Sequence, residues 1–298
     1  MFNKLIVSLM PMVPKFAVKV ISKRYIAGEE ISSAIKTCLE LKAQGFLTTV
    51  DILGEAVTSE SQANTARDSY LNLVSEVESS GIAKNISLKP TALGLGLSEA
   101  LGFKNISAIV AKAHLAGIFV RIDMENSPFT TQTLNIYKQL RGNNTDLGTV
   151  IQAYMRRSLD DVKPIAESQG NLRICKGIYK ESPEIAIQDA DEVRHNFIKL
   201  IHEMLSKGAF VGIATHDPLL LDASLELLSE LKIPKNRYEF QALLGVPILA
   251  RLQSMIEAGH SVRIYVPFGS EWYAYSSRRL KENPDVAGYV IKNLFVKH

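Results

Sequence analysis

AFVGIATHDPLLLDASLELLSELKIPKNRYEFQALLGVPILARLQSMIEAGHSVRIYVP, residues 209–267, is the stretch that decides the fold. It holds three short runs rich in apolar and β-branched residues: AFVGIAT (209–215), YEFQALLG (238–245) and SVRIYVP (261–267). Between them lie segments of helical period at 219–232 and 247–259. Short apolar runs bounded by turn residues read as buried strands. Strands alternating with helices imply parallel pairing and right-handed crossovers. Working back toward the N-terminus, the same alternation recurs. The runs are FLTTVDIL (46–53), NISLK (85–89), IFVRIDME (118–125), GTVIQAY (148–154) and NLRICKGIY (171–179). Helical patterns at 59–80, 105–117, 130–140, 159–169 and 186–208 separate the runs, and 271–282 follows the last one. Eight such units in 298 residues predict an α/β fold, a (βα)8 barrel of the TIM type. An open doubly wound sheet is the alternative.

The composition, 46% hydrophobic and 22% charged, supplies a full core for a soluble globular protein. A net charge of +3 is too small to argue for nucleic acid. Cys38 and Cys175 show no metal spacing and read as reduced core thiols in a cytoplasmic protein. The N-terminal stretch MFNKLIVSLMPMVPKFAVKVISKRY is interrupted by Pro11, Pro14, Lys15 and Lys19, which argues against a signal peptide or a membrane span. Residues 1–24 read as a helical extension that packs on the remainder, 25–298, a single barrel domain. A helix lying on an anionic membrane surface is the alternative.

In a barrel of this kind the active site lies where strands run into loops at the C-terminal face. The runs place polar residues there: Glu55, Lys89, Asp123 with Glu125, Gln152 with Tyr154 and Arg156, Arg173 with Lys176, Thr215 with His216 and Asp217, Glu239 with Gln241, and Arg263 with Tyr265. A polar side chain inside an apolar strand needs a partner or water, because burial without one costs about 2–7 kcal/mol. In the segment after the eighth run, Tyr275, Arg278, Arg279 and Glu282 share one helical face. That face reads either as a solvated surface with an Arg278–Glu282 ion pair or as a cationic clamp over the barrel mouth. Adjacent guanidinium groups suit a carboxylate or phosphate. Lys89, Arg278 and Arg279 with Tyr265, Tyr275 and Leu243 suit a small amino or keto acid. Gln152, Arg173, Lys176, Thr215 and His216 suit a larger cofactor with phosphates and a polar ring. The TALGLGLSEALG stretch (91–102) lacks dinucleotide spacing and reads as a flexible rim loop.

These motifs, in order, resemble those of the proline dehydrogenases. The matching stretches are YIAGE (25–29), DILGE (51–55), SLKPTALG (87–94), RIDME (121–125), QAYMRRS (152–158), LRICKGIYKE (172–181), ATHD (214–217), YEFQALLG (238–245) and RIYVPFGSEWYAYSSRRLKEN (263–283). The length is similar to that of the monofunctional bacterial enzymes, without a fused aldehyde dehydrogenase or DNA-binding region.

The resemblance implies a (βα)8 flavoenzyme. It would use FAD to oxidise L-proline to 1-pyrroline-5-carboxylate and pass electrons to a quinone. It implies that Arg278 and Arg279 clamp the proline carboxylate with Lys89 as a third cation, while Tyr275 and Leu243 enclose the ring and Tyr265 packs beside it. Asp123 would sit near Lys89 and the pyrimidine edge of the flavin. Glu55 would pair with Arg278 and gate the site, and Glu282 would support the arginines. Gln152 and Arg173 would bind the isoalloxazine, with Arg173 stabilising the reduced, anionic flavin. Lys176, Gly177, Ile178, Tyr179, Thr215 and His216 would hold the ribityl, phosphate and adenine parts. The quinone implies peripheral contact with the inner face of the cell membrane. The product implies a downstream pyrroline-carboxylate or glutamate-semialdehyde dehydrogenase.

Three residues depart from the family pattern. Pro90 follows Lys89 and restricts it, Cys175 replaces a valine as a core change, and Lys180 replaces a tryptophan beside the cofactor. Two alternatives stay open. One is a Schiff-base lyase with Lys89 or Lys176 as nucleophile, and the other is a barrel that binds an amino acid without catalysis.

Overall fold

A computed structural model describes residue 22 and residues 24–54, 56–142, 144–273 and 275–276. The expected N-terminal extension, apart from Ser22 and Arg24, lies outside the described residues, as do Glu55, Arg278, Arg279 and Glu282. In chain order the main elements are α1 (Ile31–Ala43), β1 (Leu47–Ile52), α2 (Glu60–Ser79), β2 (Asn85–Leu88), α3 (Glu99–Leu115), β3 (Phe119–Ile122), α4 (Thr130–Arg141) and β4 (Leu147–Gln152). They continue as α5 (Ser158–Glu167), β5 (Asn171–Cys175), α6 (Ala190–Ser206), β6 (Phe210–Ala214), α7 (Pro218–Glu230), β7 (Tyr238–Leu243), α8 (Leu249–Glu257) and β8 (Val262–Phe268). The strands close into a barrel in sequence order, and β1 pairs in parallel with β8 from Leu47↔Arg263 to Ile52↔Phe268. The (βα)8 expectation holds, and the open sheet is excluded.

Local chemistry starts the helices where the strands stop. Ser59 caps α2 by accepting from the Gln62 N–H, while the Gln62 side chain accepts from the Thr58 N–H. Asp217 caps α7, with Pro218 in the first helical position. Asp189 caps α6 by accepting from the Asp191 and Glu192 N–H groups. Outward from the strands, Val50, Ile86, Leu88, Val120, Ile122, Ile174, Val211, Ile213, Phe240, Ile264 and Val266 form the apolar layer beneath the helices. Burying one such side chain contributes about 1.5–3 kcal/mol.

The inside of the barrel is different. Arg173 on β5 bonds Ser87 on β2, Asp123 after β3 and Gln241 on β7, and those strands meet only across the interior. Lower down, Arg121 bonds the Thr149 and Asn171 carbonyls at 3.0 Å and Asn171 Oδ1 at 2.6 Å, and stacks on Phe119 with 4.8 Å to the ring centroid. The interior is thus a ladder of charged side chains. Gly148 makes room for one rung: a Cβ there would lie 2.4 Å from Arg121 Nη1 and 2.7 Å from the Asn171 carbonyl oxygen. Gly148→Ala is therefore expected to cost about 1–3 kcal/mol of stability through overpacking, read as a shift in the urea midpoint. A midpoint equal to the parent's would refute the ladder's tight packing.

Two expectations need correction. The 91–102 stretch is not a flexible rim loop. Leu93 and Leu95 are buried, and α3 begins at Glu99, ahead of the expected 105. Gly102 lies inside α3 because the Leu95 backbone packs 2.9 Å from where its Cβ would be. The other is an omission: α1 has no counterpart in the sequence reading. Its buried residues, Ala34, Cys38 and Leu41, are few and mostly small. It packs against β1 and β8, on the outer side of the seam that closes the ring.

Candidate active site

Where strands pass into loops at the C-terminal end, the barrel opens into a cavity of about 710 Å³. Its wall takes Lys89 just beyond β2, Asp123 beyond β3, Gln152 at the end of β4, Arg173 and Cys175 on β5, Leu243 at the end of β7 and Tyr265 on β8. Lys176, Gly177, Ile178 and Tyr179 after β5, and Thr215, His216 and Asp217 after β6, complete one side, while Tyr275 closes another. The sequence-nominated residues Lys89, Asp123, Glu125, Gln152, Arg173, Lys176, Gly177, Ile178, Tyr179, Thr215, His216, Asp217, Gln241, Leu243 and Tyr265 thus share one cavity. Tyr275 joins them.

At one end, Lys89 Nζ pairs with Asp51 on β1 and donates to the Tyr265 hydroxyl at 3.4 Å. Tyr265 donates to Asp123 Oδ2 at 2.9 Å, and the other Asp123 oxygen takes Arg173 Nη1 at 2.8 Å. The Arg173 guanidinium also lies 5.3 Å from the Tyr265 ring centroid. Burial pulls the Lys89 ammonium down, but Asp51 and Asp123 outweigh it and hold it above the usual lysine value. Lys89 keeps 17% of its side chain exposed, so its charge is felt in the cavity. Burial and the neighbouring carboxylates push the Tyr265 phenol well up, leaving it a neutral donor.

At the other end, Gln152 Nε2 donates to the Glu125 carbonyl at 2.9 Å, so its amide oxygen is left as the acceptor for a ligand. The Glu125 carboxylate accepts from the Thr91 N–H at 2.8 Å and the Thr91 hydroxyl at 2.6 Å. His216 Nε2 accepts from the Leu243 N–H at 3.0 Å, tying β6 to β7. Gly177 has φ +112, and a Cβ there would meet the Tyr154 ring at 2.2 Å. Only glycine fits against that ring, and Gly177 itself lines the cavity. Lys176 and Arg194 share the Asp217 carboxylate at 3.1 and 2.8 Å. Burial pushes the Asp217 carboxyl up, but Arg194 and Lys176 outweigh it and hold it low.

Beneath the cavity, Arg263 grips both oxygens of Glu239 at 2.7 and 2.9 Å. Burial pushes the Glu239 carboxyl up, but Arg263 and Arg121 outweigh it and hold it below the usual carboxylate range. A folded pKa below the unfolded one contributes stability that is complete above the unfolded value and is lost as pH falls through the folded value. Glu239→Gln should therefore flatten the acid limb of the stability profile, measured by urea midpoints from neutral pH downward. An acid limb as steep as the parent's would contradict this.

Several placements differ from expectation. Cys175 packs against the core, as expected, but also reaches the cavity. It is half-buried on the cavity wall, and burial pushes its thiol up to about 11. Lys180 is exposed and does not line the cavity. Pro90 does not turn Lys89 away, because its ammonium reaches Asp51. Asp51 was missed altogether. It is fully buried, and its signal was an acid between Val50 and Ile52 in an apolar run, hidden by attention to strand ends.

The residues 34–292 match the family model described as proline dehydrogenase. The chain is 36% identical over 276 residues to "Proline dehydrogenase 1" of Bacillus subtilis (strain 168), covering 93% of this chain and 91% of that protein. It is 34% identical over 280 residues to "Proline dehydrogenase" of Deinococcus radiodurans, covering 92% and 90%. A crystal structure of proline utilization A from Bdellovibrio bacteriovorus, inactivated by N-propargylglycine, superposes with a TM-score of 0.84 at 25% identity. That match covers 95% of this chain and 36% of the larger one.

Proposed function

The chain belongs to the proline dehydrogenase family, an oxidoreductase family acting on proline, and from that premise we propose that it oxidises L-proline to 1-pyrroline-5-carboxylate with FAD. The observation that carries this reading is that Lys89, Tyr265, Leu243 and Tyr275 line one cavity together with Gln152, Arg173 and the Gly177–Tyr179 stretch. At about 710 Å³, that cavity is far larger than proline alone requires.

The donor set fits FAD. The Gln152 acceptor and the Arg173 cation suit a polar ring, while Lys176, the backbone at Gly177, Thr215 and His216 suit the ribityl and phosphate parts. When bound, FAD supplies the acceptor for the hydride from the proline ring carbon beside nitrogen and relays the electron pair to a quinone. The protein's own contribution is binding and electrostatics. Lys89, with Arg278 and Arg279 from the proposed clamp, would hold the carboxylate. Leu243, Tyr265 and Tyr275 would enclose the ring and exclude water, with Glu55 and Glu282 supporting the arginines. Arg173 would stabilise the negative charge that accumulates beside it. The product hydrolyses to glutamate semialdehyde, a substrate for an aldehyde dehydrogenase.

Two observations count against a Schiff-base lyase. A nucleophilic lysine needs a neutral amine, yet Lys89 is held protonated by Asp51, and Lys176 is paired with Asp217. A non-catalytic amino-acid binder leaves the Gln152–His216 side of the cavity without a purpose. A visible absorption spectrum taken before and after anaerobic addition of proline tests the proposal. A flavin spectrum that bleaches with proline supports it, and a protein that cannot be reconstituted with FAD sinks it.

Arg279→Met is expected to raise the proline concentration for half-saturation at least tenfold while FAD is retained. Unchanged saturation would remove Arg279 from the clamp. Quinone reduction places the protein against a membrane. We propose that residues 1–24, whose lysines and Arg24 sit among apolar residues, make that contact. Deletion of that segment should reduce co-sedimentation with anionic vesicles.

A further inference from the structure

Both ends of the Gln241 amide are committed. Arg173 Nε donates to Gln241 Oε1 at 2.6 Å, and Gln241 Nε2 donates to Glu239 Oε1 at 2.6 Å. Glu239 is anchored by Arg263, whose Nη1 also donates to the Thr48 carbonyl at 2.7 Å. A guanidinium only donates and a carboxylate only accepts, so the amide has a single orientation, oxygen toward Arg173 and nitrogen toward Glu239. Gln241 and Glu239 are 6% and 4% exposed, so water offers little competition. Gly212 on β6 leaves the necessary room, since a Cβ there would lie 2.4 Å from Gln241 Nε2.

Arg173 has other partners, Asp123 on Nη1 at 2.8 Å and Ser87 on Nη2 at 3.2 Å. Among the bonds described, Gln241 is what holds the Nε edge. Without it the guanidinium can pivot about the Asp123 contact, keeping its charge but losing its direction. Asp123 grips the guanidinium at Nη1, away from the Nε edge, and its other oxygen accepts from Tyr265.

We propose that Gln241, oriented by Glu239, is a positioning residue that fixes the plane of the Arg173 guanidinium toward the cavity. Its catalytic consequence rests on the proline oxidation reading above. The orientation itself does not, because every bond in the chain is made by the protein alone.

The test uses the full chain and two variants, Gln241→Met, which removes both bonds at similar size, and Gln241→Glu, which keeps an acceptor for Arg173. In the flavin-free protein, the ¹⁵N spectrum should show an Arg173 Nε–H protected from solvent exchange, assigned by its loss in Arg173→Lys. The protection should disappear in Gln241→Met and survive in Gln241→Glu. In the FAD-loaded enzyme, Gln241→Met should lower the midpoint potential of the flavin by about 30 mV, a tenfold change for a two-electron couple. It should also lower kcat about tenfold with KM for proline within twofold. A folded Gln241→Met variant with a protected Nε–H and the parent's potential overturns the proposal. A parent that takes up no flavin sinks the functional reading instead, and the Nε–H signal still decides whether Gln241 holds Arg173.

Discussion

Asp51→Ala is expected to lower the stability of the fold by about 3–5 kcal/mol, because removing one partner of a buried ion pair leaves the other uncompensated. Asp51 is fully buried on β1, and its carboxylate faces Lys89. Burial pushes the Asp51 carboxyl up against the pull of Lys89, and the Tyr70 hydroxyl donates to its Oδ1 at 3.4 Å. Take Asp51 away and the Lys89 ammonium keeps only the Tyr265 hydroxyl at 3.4 Å among its described bonds. Adding Lys89→Met to Asp51→Ala should recover most of the loss, since an apolar side chain needs no partner. Urea unfolding of the parent, both single variants and the double variant gives the coupling directly. Strictly additive effects would mean that Asp51 and Lys89 do not share a charge. The pair also ties the proposed carboxylate end of the cavity to the first strand, so proline binding should weaken in Asp51→Ala even where the protein remains folded.

Arg173→Met has the largest expected effect on turnover, a fall in kcat of roughly 10²–10³, the magnitude typical of removing one preorganised charge-stabilising donor. Three side chains converge on this guanidinium, and it stacks near Tyr265. Arg173→Lys should rescue little. One ammonium cannot reach Asp123 and Gln241 in the fork geometry that a guanidinium supplies. The discriminating measurement is the anaerobic rate of flavin bleaching by proline at saturation. A fall confined to KM would assign Arg173 to substrate binding alone and defeat the prediction.

The alternation of apolar runs and helical periods made the barrel legible, because strands buried on the helix side must be apolar at every second position. Val50, Ile86, Val120 and Ile264 supply that signal directly. The loops after the strands were legible for a related reason. Lys89, Arg173 and Tyr265 break apolar runs, and such breaks need a reason. What stayed hidden was pairing. Asp51 reads as an incidental polar residue, and Gln241 only as a strand-end polar group, until the fold sets the first against Lys89 beyond the neighbouring strand and the second against Arg173 across the barrel. Helix α1 escaped although Ile31, Ala34, Ile35 and Cys38 recur at helical spacing, because it precedes the first apolar run on which the alternation was counted. The 91–102 stretch misled because its glycines suggest mobility, whereas Gly102 serves close packing against Leu95.

The seam between β1 and β8 has a consequence for how the chain is made. Helix α1 and strand β1 leave the ribosome well before β8, yet both find their seats against it. Contacts of such long sequence separation form slowly, since the intervening loop must close before they are rewarded. Until Val262–Phe268 arrives, β1 keeps an unpaired edge open to other chains. Its emergence is therefore the event that ends the period in which a nascent molecule can pair with a neighbour instead of with itself.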